Sequence, residues 1–215
     1  DTNFITTNPS SLDFIDRSKT FFIPNICDRS IDILENYKYE NLEYDIFFAL
    51  SHGQHRAILK KGYIDERVKF INQLKLNDLK KNFFGIDKDP VWGEQFFLEL
   101  SKCKMGLNLN RGMPIKYYSS DRISSLIANG LLTFLQRGYS YEDFLEDRID
   151  VIYFEDHLEL NDYIKYYSKN YNERSKIACN GKETYFKNFE NILVTKYMVE
   201  KILEHKISHK LSWMN

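Results

Sequence analysis

The sequence predicts one doubly wound α/β domain with a helical C-terminus, and three observations carry that expectation. A rhythm of strand, turn and helix recurs along most of the chain, as it does where helices cover both faces of a parallel sheet. Tyr44-Asp-Ile-Phe-Phe-Ala-Leu50 is apolar on both faces, which is what a buried parallel strand requires. After a short strand at Val151 to Phe154, helical spacing takes over, with polar faces that suit a cover rather than a second domain.

In order, Phe4 to Thr7 reads as a strand, and Asn8 caps a short helix with Pro9 at its first position. Lys19 to Ile23 is a second strand, closed by Pro24-Asn25. Tyr44 to Leu50 follows and runs into the polar turn Ser51-His-Gly-Gln-His-Arg56. Asp65 to Leu76 places Val68, Ile71 and Leu74 at helical spacing. Asn82 to Ile86 is a short strand, and Val91 to Leu100 a helix with Phe96, Phe97 and Leu100 facing inward. Lys104 to Leu109 is the next strand, leading into Asn110-Arg-Gly-Met-Pro114. A helix beginning in Tyr118-Ser-Ser-Asp-Arg122 ends at Gly130 and runs into an apolar strand, Leu131 to Leu135. The tail helices break near Tyr171 and Asn188.

At 215 residues the chain can bury a substantial core, and 43% hydrophobic with 28% charged residues is ordinary for a soluble protein. A formal net charge of −1 supplies no global field for nucleic acid or an anionic membrane. No nucleic-acid partner is expected, and at most peripheral membrane association. Cys27, Cys103 and Cys179 lie far apart, which predicts neither a disulfide framework nor a zinc site and fits a reducing, cytoplasmic compartment. No apolar run approaches the roughly 18 residues that span a bilayer. The chain opens in a strand without a start methionine, which predicts that upstream residues exist. Residues 1–18 then read as the end of a preceding domain or a linker, 19–190 as the ligand-binding domain, and 191–215 as a helix packed on it.

Ligands of open parallel sheets bind beyond the carboxyl ends of the strands, where strand order reverses. Three turns carry polar residues to such ends. Ser51 to Arg56 offers Gly53, which lets backbone approach a ligand closely, and Arg56, whose guanidinium grips a phosphate with two hydrogen bonds. The same residues fit a solvated loop. His52 and His55 have no third partner for a metal, so no metal is expected. The second turn brings Asn108, Asn110 and Arg111 to Gly112. The third sets Ser119, Ser120 and Arg122 at a helix start, where unpaired N–H groups and the helix dipole favour an anion. Plain capping by Ser120 or Asp121 explains that turn equally well. Asp87-Lys-Asp89 precedes Pro90 in a loop and reads as solvated. Glu155-Asp156-His157 reads as a helix start, and Glu142, Asp143, Glu146 and Asp147 as a solvated acidic face.

The order of these pieces resembles the C-terminal half of bacterial glycosyltransferases of the GT-B fold, in the group 1 families that include spore-maturation-type proteins. The matching pieces are Phe22-Ile-Pro-Asn25, Tyr44-Asp-Ile-Phe-Phe48, Pro90-Val-Trp-Gly93, Ser101 to Leu109, Arg122 with Gly130-Leu-Leu-Thr133, Leu160 to Tyr167, and Ile177-Ala-Cys-Asn-Gly181. Together they cover roughly residues 20 to 190. The resemblance implies a Rossmann-like domain that binds a nucleotide-sugar donor without a metal or other cofactor, for transfer to a glycan or lipid-linked acceptor. It implies that the pyrophosphate meets the helix near Ser120 and that Arg56 neutralises the leaving diphosphate, where charge grows in the transition state. The family's ribose-binding glutamate falls on Ser125, and a second family glutamate on Tyr117. The family carries its acceptor site and catalytic base in an N-terminal domain, so no base is named here. Two other readings stay open: a non-catalytic nucleotide or nucleotide-sugar binding module, and a flavodoxin-like interaction domain.

Overall fold

The computed structural model describes residues 4–7, 14–51, 66–112 and 114–214. Asn8 and Pro9, the two histidines, Gly53 and Arg56 therefore lie outside the described residues.

Five strands form the main sheet: β3 (Tyr44–Ala49), β4 (Lys81–Phe84), β5 (Cys103–Asn108), β6 (Leu132–Gln136) and β7 (Ile152–Phe154). Their spatial order is β4-β3-β5-β6-β7, and every neighbouring pair is parallel. The chain moves from β3 to β4 on one side, then crosses back to β5 on the other. Strand order thus reverses between β3 and β5. The two strands expected before this sheet exist as β1 (Phe4–Thr6) and β2 (Thr20–Phe22), but they pair with each other in a separate two-stranded sheet. Local pattern announces a strand; it does not say which sheet receives it.

Alternation along the buried strands feeds two apolar layers. Ile46, Phe48, Phe83, Met105, Leu107, Leu132, Phe134 and Ile152 share one cluster with residues of α1 (Glu66–Gln73) and α4 (His157–Lys169). Phe47, Ala49, Phe84 and Cys103 face the other way, against α2 (Gly93–Ser101) and α3 (Arg122–Ala128). A third cluster joins α3 to the far end of α5 (Tyr171–Phe189), with Tyr139, Tyr141, Tyr153, Phe186 and Trp213. The last helix is α6 (Asn191–Ile202). The following tail folds back, and the Trp213 indole N–H donates to the Asn188 carbonyl at 2.6 Å.

Close approach sets two glycines. A Cβ on Gly106 of β5 would stand 2.4 Å from a Leu126 methyl, so its absence lets α3 lie directly on the sheet. On Gly181 of α5 it would stand 2.1 Å from the Asp150 carbonyl oxygen, a backbone atom with no room to yield.

The tail breaks where expected, within two residues. Asn170 separates α4 from α5, and Glu190 separates α5 from α6. Asp156 caps α4, its carboxylate accepting from the Leu158 and Glu159 backbone N–H groups, so the helix-start reading of that acid holds. The acidic stretch is not simply solvated. Arg137, at the end of β6, donates to Asp147 at 2.7 Å and to Glu142 at 3.3 Å, and Asp143 accepts the Tyr117 hydroxyl.

Candidate functional site

A cavity of about 350 Å³ opens at the reversal of strand order. Its floor is the carboxyl end of β3, Ala49 and Ser51; one wall is the start of α2, Val91 to Gly93 with Phe96 and Phe97; the opposite wall is Ser120 to Arg122 with Ser125; and Arg67 of α1 closes it. This is the place where an open parallel sheet leaves a crevice, because successive connections depart to opposite faces.

Arg122 occupies the fork itself. One of its terminal nitrogens donates to the Ala49 carbonyl at 2.6 Å and the other to the Leu109 carbonyl at 2.7 Å. Those carbonyls belong to the last residue of β3 and the first residue after β5, the two strands between which the order reverses. Its guanidinium also lies 4.8 Å from the Phe48 ring centroid. The arginine read from the sequence as a phosphate ligand fastens the strand ends that frame the cavity.

The hydroxyls before it form a network. Asn108 donates to the Ser119 hydroxyl at 3.1 Å and accepts from the Ser120 hydroxyl at 3.0 Å. Asn110 accepts from the Ser120 backbone N–H at 3.1 Å and donates to the Tyr141 hydroxyl at 2.7 Å and the Tyr118 carbonyl at 3.1 Å. Burial drives the Tyr141 phenol well above its usual range, so it stays protonated as a donor, and it gives that proton to the Tyr118 carbonyl. Ser119, Ser120 and Asn110 thus hold the turn between β5 and α3 in one shape. The helix is shorter than expected: it begins at Arg122, and both serines lie in the loop before it. Asp121 stands at the cap position without capping; instead its carboxylate accepts from the Asn25 amide at 2.6 Å. Tyr117 takes a left-handed φ of 63°, a conformation that costs a non-glycine residue energy and fixes the loop's path.

Of the candidates named from the sequence, Ser120, Arg122 and Ser125 line the cavity. Ser119 and Asn110 support it from behind, while Arg111 is exposed in the turn before Gly112 and does not line it. Arg67 and Trp92 are among the lining residues that were missed. Arg67 reads in sequence as one charge on the solvated side of a helix, and Trp92 as part of a Pro-Val-Trp-Gly turn. The usable signal was the Trp92-Gly93 pair at a helix start, an aromatic ring carried on a turn; in the structure Trp92 is 62% exposed and Gly93 takes φ 60°. Cys103 takes no part; burial pushes its thiol up to about 12. Among the described residues no group of acids, histidines and cysteines is arranged to hold a metal ion, and the cysteines are unpaired.

A family model described as "Glycosyl transferase-like" matches residues 67–198. The chain belongs to this glycosyl transferase-like family. The GT-B resemblance read from the sequence agrees with that match, and solved structures share the Rossmann-like sheet. HepE of Anabaena, solved with UDP, superposes with a TM-score of 0.63 at 10% identity, over 94% of this chain and 64% of HepE. Its UDP-glucose complex gives 0.61 at 12% identity, with the same coverage. Sucrose-phosphate synthase of Thermosynechococcus elongatus gives 0.57 at 11% identity, over 93% of this chain and 57% of the synthase. The chain thus spans less than two thirds of the length of these structures, and identities this low speak to fold alone. No curated protein sequence matches.

Proposed function

We propose that this chain is the donor-binding part of a glycosyltransferase that moves a sugar from a nucleotide-sugar to a glycan or lipid-linked acceptor, and that the cavity at the reversal of strand order seats the donor. The observation that carries the reading is a cavity at that place walled by both cationic and aromatic side chains in a member of the glycosyl transferase-like family. HepE, of similar fold, is solved with UDP and UDP-glucose, which supports a uridine donor. Residues 19–190 form the donor-binding unit in this reading, and 191–215 its helical closure.

The chemistry divides the cavity. Arg67 and Arg122 bring positive charge toward a diphosphate, while the Asp121 carboxylate and the Ser51, Ser120 and Ser125 hydroxyls suit the hydroxyls of ribose or sugar. Trp92 offers a flat face to a ring. Arg56 and Gly53, which follow β3 in sequence, belong to the same proposal, as does Arg111 on the neighbouring turn. No metal enters it: guanidinium charge takes the part of neutralising the departing diphosphate. Ser125 supplies one hydroxyl where a carboxylate would hold a diol, which favours a non-catalytic binding module as the second reading. The strand order is also that of flavodoxin-like domains, so topology does not separate the two classes; the family match does.

Thermal denaturation with UDP, UDP-glucose, AMP and FMN tests this. A specific ligand at a hundred times its dissociation constant adds about 2.7 kcal/mol, roughly 5–11 °C in Tm for a chain of this size. UDP and UDP-glucose are expected to stabilise and FMN not; the reverse, or no shift, contradicts the reading. Trp92→Ala is expected to weaken UDP-glucose about five- to tenfold with the unliganded Tm unchanged, since its ring is mostly in water. Release of UDP in the presence of an acceptor then separates enzyme from binding module.

A further inference from the structure

Ser120, which looks in sequence like a phosphate ligand, has already spent both of its donors. Its backbone N–H donates to the Asn110 side-chain oxygen at 3.1 Å, and its hydroxyl to the Asn108 side-chain oxygen at 3.0 Å. Ser119 beside it takes a proton from the Asn108 amide at 3.1 Å and gives its own to the Ser120 carbonyl at 3.0 Å. Asn108 and Asn110 are 1% and 7% exposed, so neither amide can trade these bonds for bulk water.

A hydroxyl has one proton and two lone pairs. With its proton on Asn108, the Ser120 oxygen presents lone pairs to the cavity that it lines. Asp121 lines the cavity next to it with a carboxylate, a group that accepts and does not donate. One of its oxygens holds the Asn25 amide at 2.6 Å, which fixes the side chain in place. This part of the wall therefore offers acceptors. A phosphate is built of acceptors too, so the two have no proton to share, and the charge of Asp121 repels it. Two neighbouring hydroxyls suit the same wall, because each brings a proton.

We propose that Ser120 and Asp121 determine specificity for a vicinal diol on the ligand, and that Asn108 is the positioning residue that makes Ser120 an acceptor. One ligand hydroxyl donates to the Ser120 oxygen and its neighbour to the Asp121 carboxylate, while the phosphates are left to Arg67 and Arg122. This runs against the expectation from the sequence that a pyrophosphate meets the helix near Ser120. In the donor reading above, on which this rests, the diol belongs either to the ribose or to the transferred sugar.

Titration calorimetry of the full chain with UDP, 2′,3′-dideoxy-UDP and UDP-glucose separates these cases. For a ribose diol, Ser120→Ala should weaken UDP and UDP-glucose about five- to tenfold and leave 2′,3′-dideoxy-UDP unchanged. For a sugar diol, it should weaken UDP-glucose alone by that factor. Asn108→Ala should reproduce the pattern of Ser120→Ala, and Asn108→Asp, which keeps an acceptor toward Ser120, should retain the original preference. Ser120→Ala carries the test by itself where the buried Asn108 variants do not fold. Equal weakening of all three ligands by Ser120→Ala would place a phosphate or the base against Ser120 and overturn the proposal. Unchanged affinity for all three would overturn it as well, with the donor reading intact. Failure of the unsubstituted chain to bind any of the three would remove the donor reading and this proposal together.

Discussion

Replacing Arg122 by alanine is expected to lower stability by about 3 kcal/mol, a fall of roughly 6–12 °C in Tm, before any ligand is added. The arginine donates to the Ala49 and Leu109 carbonyls, which lie at the ends of the two strands at the fork. There the connections leave in opposite directions, so neither strand's next residue continues the ladder between them. Removing the guanidinium leaves both oxygens without the charged donor that joined them, and hydrogen bonds to a charged group are worth about 1.5–3 kcal/mol each. Lysine cannot reach both carbonyls with one ammonium, so Arg122→Lys should recover less than half of the loss. Denaturation of the two variants checks this. An unchanged Tm with weakened nucleotide binding would mean that Arg122 serves the ligand alone.

Arg67→Ala should give the complementary result. Arg67 lines the cavity from the second residue of α1, so its loss removes positive charge from the proposed diphosphate position. A charge-assisted contact of about 1.5–3 kcal/mol corresponds to a ten- to hundredfold rise in the UDP dissociation constant. Uridine, without phosphates, should lose little. Titration calorimetry with UDP and uridine measures both. Equal loss for the two would place Arg67 against the base or ribose, and no loss for either would remove it from the site.

The contrast between these arginines shows what sequence carries and where it stops. The sheet was legible because Ile46 to Leu50 at β3 and Leu131 to Leu135 at β6 are mostly apolar runs that suit a doubly covered strand, and the tail was legible from its 3.6-residue spacing. Ser120 and Arg122, which line the cavity, stood out because a turn from strand to helix has a recognisable composition, while Ser125, which lines it too, was singled out only through the family resemblance. That Arg122 would bind the carbonyls of Ala49 and Leu109 was not legible, since those partners lie 73 and 13 residues away in sequence. Ser119 and Asn110 looked like ligand groups because hydroxyls and amides are drawn from one chemical set whether they face a ligand or each other. Arg67 was hidden by the opposite ambiguity: a helical arginine next to glutamate resembles any solvated charge. β1 and β2 were found as strands, but sheet membership is decided by long-range pairing, which leaves no local mark.

The most direct test of the central claim is amide hydrogen exchange of the full chain with and without UDP-glucose. If the donor sits at the reversal of strand order, protection should rise at Ala49 to Ser51, Val91 to Phe97 and Ser120 to Ser125, and remain unchanged along α6. Protection confined to another part of the surface, or none at ligand concentrations that saturate binding, would contradict the account.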